Sequence, residues 1–247
     1  MKVVIIIPTY NERENIGKTI DGLEKVFSDL PKHQMGILVI DDNSPDGTGK
    51  LADELAKKHK GGLYVLHRKG KLGLGSAYIL GFKYALTNLK PDLIITMDAD
   101  LSHHPKYIPG LINKVHEGFD VVQGSRYMNG GGVNWAFHRR IVSRCANLLA
   151  IKMLGFRIND ITGSFRCYKA EVIKSLNLDS IKSEGFSFLE ELLYLCKLKG
   201  FKVGEAPIFF IERKKGKSKL SKGEMIKFFF TIIRLRLTKN KLKKEND

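Results

Sequence analysis

The sequence predicts an α/β fold, a mostly parallel central sheet flanked by helices. Three observations carry the prediction. Short β-branched apolar runs alternate with segments of helical spacing. The runs are apolar throughout, the pattern of strands covered on both faces, and their alternation with helices implies right-handed crossovers between parallel neighbours. Polar and acidic residues gather directly after several of the runs, at the strand ends where ligands of such folds bind.

Taken in order, residues 3–7 form the first strand, and a helical pattern over 15–30 follows with Ile16, Ile20, Leu23, Val26 and Phe27 on one face. Strands at 36–40 and 63–67 enclose a helix at 48–59. A glycine-rich turn and a helix over 76–86 lead to a fourth strand at 93–97 and a fifth at 121–124. The second half is less regular. It holds the cluster Gly130-Gly131-Gly132, helices over 139–154 and 186–199, and an apolar run at 206–210. Neither an internal repeat nor a low-complexity linker interrupts the chain before about residue 239. One domain over 1–223 with a basic amphipathic extension over 224–247, a helix followed by a disordered tail, is the economical organisation.

Composition narrows the classes. Of 247 residues 43% are hydrophobic and 28% charged, which excludes disorder, collagen-like repeats and a disulfide scaffold. Cys145, Cys167 and Cys196 form no CxxC pair and read as reduced thiols. The N-terminus lacks the small-residue cleavage site of a signal peptide. No run reaches the 18 or so apolar residues of a membrane span; the best candidate, 225–237, is interrupted by Lys227, Arg234 and Arg236. The net charge is +16, and from Arg213 onward 13 Lys or Arg face three acids. Such a tail favours phosphate-rich partners, whether nucleic acid, anionic lipid or phosphorylated substrate.

The chemistry-bearing motifs sit after the strands. Asp98-Ala99-Asp100 places two carboxylates at i and i+2, able to share a hard divalent cation such as Mg2+ or Mn2+. A lone DxD is common, and Asp98 as a helix cap is the bland alternative. Context strengthens the metal reading. Asp41 and Asp42 follow a neighbouring apolar strand, where adjacent carboxylates cost stability unless something uses them. Asp46-Gly47 suits a turn and Thr48 a helix N-cap. Tyr10, in Pro8-Thr9-Tyr10-Asn11-Glu12, offers a ring for a base to stack on. Gly73-Leu74-Gly75 lacks the third glycine of a dinucleotide fingerprint, because Tyr78 stands there, and reads as a tight turn. His103 and His104 read as residues that orient the loop or cap the helix at Pro105, since hard cations favour oxygen ligands.

Pro8-Thr9-Tyr10-Asn11-Glu12, Asp41-Asp42-Asn43-Ser44-Pro45-Asp46-Gly47-Thr48 and Asp98-Ala99-Asp100-Leu101-Ser102-His103-His104-Pro105 together resemble the dolichyl-phosphate mannosyltransferases. The likeness continues through Gly124-Ser125-Arg126-Tyr127 and Asp160-Ile161-Thr162-Gly163-Ser164-Phe165-Arg166 to Gly216-Lys217-Ser218-Lys219-Leu220, from residue 3 to about 230. This resemblance implies a GT-A glycosyltransferase fold and transfer of mannose from GDP-mannose to dolichyl phosphate, with inversion at the sugar carbon. Carried over by position, Pro8, Tyr10, Glu12, Ile40 and Asp42 hold the guanosine; Asp98, Ala99 and Asp100 hold the sugar-nucleotide, with Asp98 and Asp100 on the metal. Arg126, Arg213 and Lys219 contact phosphates, and Arg139 and Ser143 bind the acceptor phosphate alongside Arg126. Asp98, Asp100, Arg126 and Arg213 form the catalytic set. Glu191 stands where the family often has Glu near the acceptor, and a helix-surface role is its alternative. Two departures stand out. Ser102 replaces a metal-side Gln of some relatives, and Asn43 replaces a usual Gly, which disfavours a left-handed backbone there without forbidding it.

The same resemblance implies a peripheral enzyme at the cytosolic face of the endoplasmic reticulum, or at the cytoplasmic membrane surface outside eukaryotes, working with small transmembrane tethering subunits. A UDP-glucose-dependent dolichyl-phosphate glucosyltransferase is the alternative within the class. A basic nucleic-acid-binding protein explains the charge, but three acidic loops at the strand ends would repel a phosphate backbone. The segment 225–237 is too apolar for a solvated tail; it lies in a membrane interface or packs on the body.

Overall fold

The computed structural model describes residues 1–59, 61–185, 187–212 and 222–246. A seven-stranded sheet runs in the order β3-β2-β1-β4-β7-β5-β8. Its strands are β1 (Lys2–Thr9), β2 (Gln34–Asp41), β3 (Leu63–His67), β4 (Leu93–Thr96), β5 (Val121–Ser125), β7 (Arg166–Lys169) and β8 (Val203–Pro207). A two-stranded ribbon pairs β6 (Gly132–Val133) with β9 (Phe209–Phe210). The helices are α1 (Arg13–Ser28), α2 (Thr48–Lys58), α3 (Leu74–Tyr84), α4 (Ile108–His116), α5 (Phe137–Leu154), α6 (Ala170–Ser175), α7 (Ser187–Leu198), α8 (Lys222–Leu237) and α9 (Lys239–Asn246).

The apolar runs are buried for the reason their composition gives. Val4, Ile6, Leu38 and Ile40 point to one side of the sheet, into a core with Tyr78 and Phe82 of α3, Ala150 of α5 and Leu192 of α7. Val3, Ile5, Ile7, Ile37 and Val39 point to the other, against Ile16, Ile20 and Leu23 of α1 and Leu111 of α4. The period-2 alternation of strand side chains thus feeds two cores, which is why no polar face is needed. Gly81 lets α3 lie directly on β1 and β2; a Cβ there would meet Ile40 Cδ1 at 2.5 Å.

The parallel prediction holds except for one strand. β7 runs antiparallel to both neighbours, β4 and β5. Its sequence, RCYK, is short and charged at both ends, so no apolar run announces it. Arg166 is nonetheless fully buried: its guanidinium donates to Gln123 Oε1, to the Leu189 carbonyl and, at 2.7 Å, to the Ile161 carbonyl. α4 has apolar spacing at Ile108, Leu111, Ile112 and Val115, which Pro109 and Gly110 obscure in the sequence. The apolar run at 206–210 divides between β8 and β9, with buried Ile208 between them.

α8 joins the domain rather than trailing from it. Ile232 and Leu235 are fully buried in the α3/α5/α7 core, and Leu242 of α9 is buried too, so a packed helix stands where a disordered tail is expected from sequence. Glu191 is no helix-surface residue: it is buried on α7, its Oε2 accepting from Arg234 Nη2 at 2.5 Å and from the Ser183 amide at 2.9 Å. These contacts fasten α8 to the body. Leu235→Ala is expected to lower the unfolding free energy by about 2–5 kcal/mol, read by urea denaturation; a solvated extension would show no such loss.

Candidate active site

The loops after β1, β2 and β4 converge on one cavity of about 130 Å³, where Pro8, Tyr10, Glu12, Asp42, Asp98, Ala99 and Asp100 meet. Seven of the residues expected to hold a sugar-nucleotide are therefore brought together. Ile40 lies behind them, its side chain fully buried in the core. Lys71, Gly73 and Leu74 complete the wall and were not expected from sequence, although Gly73-Leu74-Gly75 was legible as the turn that carries two of them. Gly73 adopts φ +96° there, a conformation that suits glycine.

Each carboxylate of the second loop has its own donors. Asp41 accepts from Thr9 Oγ1 at 3.1 Å and from Ser44 Oγ at 2.5 Å and amide at 3.0 Å, so it ties the first loop to the second. Asp42 is ion-paired with Arg68, Nη1 to Oδ1 2.6 Å, both side chains being under 10% exposed. The helix-capping role expected of Thr48 falls to its neighbours: Gly47 caps α2 in the left-handed conformation, and Asp46 Oδ1 accepts the Thr48 amide at 2.9 Å. Thr48 Oγ1 instead accepts from the Glu12 amide at 2.9 Å, another link between the loops. Asn43 has φ +54°, so it keeps a left-handed backbone although it is not glycine.

In the third loop Asp98 Oδ2 accepts from Ser164 Oγ at 2.9 Å, and Asp100 Oδ1 from the Ser102 amide at 3.0 Å. Leu101 between them takes φ +64°, an uncommon conformation for a branched side chain. The histidines orient the loop. His103, buried between Phe165 and Phe210, accepts the Asp98 amide on Nδ1 at 3.2 Å, and burial lowers its pKa. His104 Nδ1 accepts the Lys106 amide at 3.1 Å and caps the turn at Pro105. The donor set suits a hard cation: two carboxylates face the cavity, and Ser102 Oγ is buried without a hydrogen-bond partner among the described residues. Among those residues no group of three or more His, Cys, Asp or Glu is placed to hold a metal ion, so such a cation would need substrate and water oxygens as well.

The arginines lie on the β5 side. Arg126 is buried and clamped by Asp160, with Nε to Oδ2 at 2.7 Å and Nη2 to Oδ1 at 2.8 Å, and reaches Thr162 Oγ1 at 2.6 Å. Burial alone would lower Arg126, but Asp160 holds it above its ordinary value. Burial alone would raise Asp160, but Arg126 holds it below. Arg139 pairs with Glu212 and lies 4.5 Å from the Trp135 ring centre. Ser143 Oγ accepts from Tyr127 Oη at 2.7 Å. Arg126, Arg139 and Ser143 thus share one aromatic-lined patch, whereas Arg213 and Lys219 lie outside the described residues. Gly131 allows the loop above this patch to touch backbone, since a Cβ would fall 2.5 Å from the Ser125 carbonyl oxygen.

Fold and site together define a glycosyltransferase of the GT-A type. The chain belongs to glycosyl transferase family 2, whose sequence profile matches residues 4–176. It is 41% identical over 232 residues to polyprenol monophosphomannose synthase of Mycolicibacterium smegmatis, covering 94% of this chain and 85% of that protein. It is 40% identical over 224 residues to undecaprenyl-phosphate mannosyltransferase of Micrococcus luteus, covering 90% and 89%. Glucosyl-3-phosphoglycerate synthase from Mycobacterium tuberculosis, crystallised with Mn2+, UDP-glucose and phosphoglyceric acid, shares the fold: TM-score 0.66 at 18% identity, covering 95% of this chain and 79% of that one.

Glu190 is a buried carboxyl that sequence reasoning left unassigned. Its Oε2 has no hydrogen-bond partner among the described residues. Burial pushes the group up to about 8, against the pull of Arg166 and Arg126. Between the ordinary 4.5 and about 8 the folded chain keeps a proton that the unfolded chain releases, so stability falls as pH rises through that window. Glu190→Gln should remove this dependence. Its stability gain over wild type is expected to grow from about pH 5 to about pH 8 in urea titrations, and a constant difference would contradict the assignment.

Proposed function

We propose that the protein transfers mannose from GDP-mannose to a polyprenyl phosphate, dolichyl phosphate being one such lipid, and releases GDP with inversion at the sugar carbon. One observation carries the reading: Tyr10 and Asp42 share a single cavity with the Asp98–Asp100 pair, a place for a base at one end and a diphosphate at the other. The names of the mannosyltransferase relatives support the sugar and the lipid class.

The chemistry needs little acid–base help. A phosphate monoester is largely dianionic at pH 7, its second pKa being about 6, and attacks once repulsion from the anionic donor is screened. Mg2+ or Mn2+ held by Asp98 and Asp100 would neutralise the leaving diphosphate. Arg126, Arg139 and Ser143 hold the acceptor phosphate, and Arg213 and Lys219 serve the diphosphate. The clamps on Arg126 and Arg139 fix where those cations sit, so a phosphate meets pre-set charge rather than mobile side chains.

The lipid is met at a membrane surface. Among the described residues no helix is long and apolar enough to cross a membrane. α5 and α8 pack side by side, and their outer faces expose Phe137, Ile141, Val142, Leu148, Ile226, Phe229 and Phe230. Basic residues border them, as suits an interfacial face. Because both named relatives are bacterial, this reading drops the endoplasmic reticulum and takes the cytoplasmic membrane surface.

Two outcomes test the proposal. Incubation with labelled GDP-mannose, Mg2+ or Mn2+ and polyprenyl phosphate is expected to yield an acid-labile, chloroform-soluble product, abolished by Asp100→Ala without loss of fold. Faster turnover of UDP-glucose would overturn the donor. Deleting α8 would open the core through Ile232 and Leu235, so the surface is tested by Ile226→Gln with Phe230→Gln. Reduced vesicle binding with unchanged stability is expected, and undiminished binding would refute the interfacial role.

A further inference from the structure

The loop between β3 and α3 brings Lys71 into the cavity from the side, opposite no other cation among the described wall residues. Its Nζ lies 4.5 Å from the centre of the Tyr10 ring. The loop is firmly held. Arg68 gives its amide to the Asp41 carbonyl at 2.8 Å, its Nη1 to Asp42 Oδ1 at 2.6 Å and its Nη2 to Ser76 Oγ at 2.5 Å. The Leu72 amide reaches Asp42 Oδ2 at 3.3 Å. Residues on both sides of Lys71 are thus anchored on Asp42, so its ammonium is presented at the Tyr10 end of the cavity. Asp98 and Asp100, where a diphosphate and its cation belong, line the same cavity on the loop after β4.

We propose that Lys71 selects the base of the nucleotide. The assignment rests on the GDP-mannose reading above. A base laid on the Tyr10 ring takes the place the ammonium holds over that ring and meets the donor-only cation at its edge. Guanine answers it with two adjacent acceptors, O6 and N7, the edge that lysine and arginine read in nucleic acids. Adenine sets an amino donor at position 6 against the ammonium. A pyrimidine ring is smaller and offers one carbonyl on that side. Lys71 thereby favours a guanine nucleoside diphosphate, while Arg68 acts through Asp42 as the residue that positions the loop.

Calorimetric titration of the full chain with GDP, IDP, ADP and UDP in Mn2+ tests this, using wild type, Lys71→Met and Lys71→Arg. Lys71 is exposed, so neither substitution disturbs the core. Wild type is expected to bind GDP and IDP alike, since both carry O6 and N7, and ADP about tenfold more weakly. Lys71→Met should lose about tenfold on GDP and IDP and nothing on ADP, and Lys71→Arg should keep the preference. Equal weakening of all four nucleotides by Lys71→Met would place the lysine on the diphosphate and overturn the assignment, as would unchanged GDP binding. A wild-type preference for UDP over GDP is a separate failure. It would overturn the donor reading and this inference with it.

Discussion

A carboxylate at the end of a buried strand costs several kcal/mol unless a donor meets it, and this chain places several near one sheet edge. Asp41 is met by Thr9 and Ser44, Asp42 by Arg68, Asp98 by Ser164 and Asp160 by Arg126. Each donor comes from a different segment than its acceptor, or from the far side of a loop. Satisfying the charges therefore draws the loops after β1, β2 and β4, and the segment before β7, into contact. The cavity is what remains between loops that electrostatics has already fixed.

The sheet below supplies rigidity without polar compromise. With side chains of β1 and β2 alternating into two apolar cores, the backbone that ends in Thr9 and Asp41 has no freedom to shift register. The two cores also explain the double character of α8. Its inner face carries Ile232 and Leu235 into the core, and its outer face exposes Phe229 and Phe230. The body covers only one of the two apolar sides of this helix.

Much of this was legible in the residues. The five principal strands follow from β-branched runs, and the cavity from acidic motifs placed directly after them. His103 and His104 announced their structural duties. What was hidden had no local signature. β7 is four residues with charged ends, and its burial depends on Gln123 and the Leu189 carbonyl, which come from elsewhere in the chain. Lys71 looks like one surface lysine among many until the fold sets it over Tyr10. The burial of Glu191 was hidden because its partner in space, Arg234, is 43 residues away. Pairings across such distances leave no periodicity to read.

The reversed strand β7 divides the molecule into two workshops. On one side, parallel β1, β2, β3 and β4 end in the loops that line the cavity. On the other, β5 and β8 flank the patch of Arg126, Arg139 and Ser143. Because β7 enters from the opposite direction, the segment bearing Asp160 and Ser164 arrives between the halves and touches both, Asp160 at Arg126 and Ser164 at Asp98. That short segment is the seam. A fold so arranged can remodel the β5 side while the other half stays as it is, provided the seam keeps its two bonds.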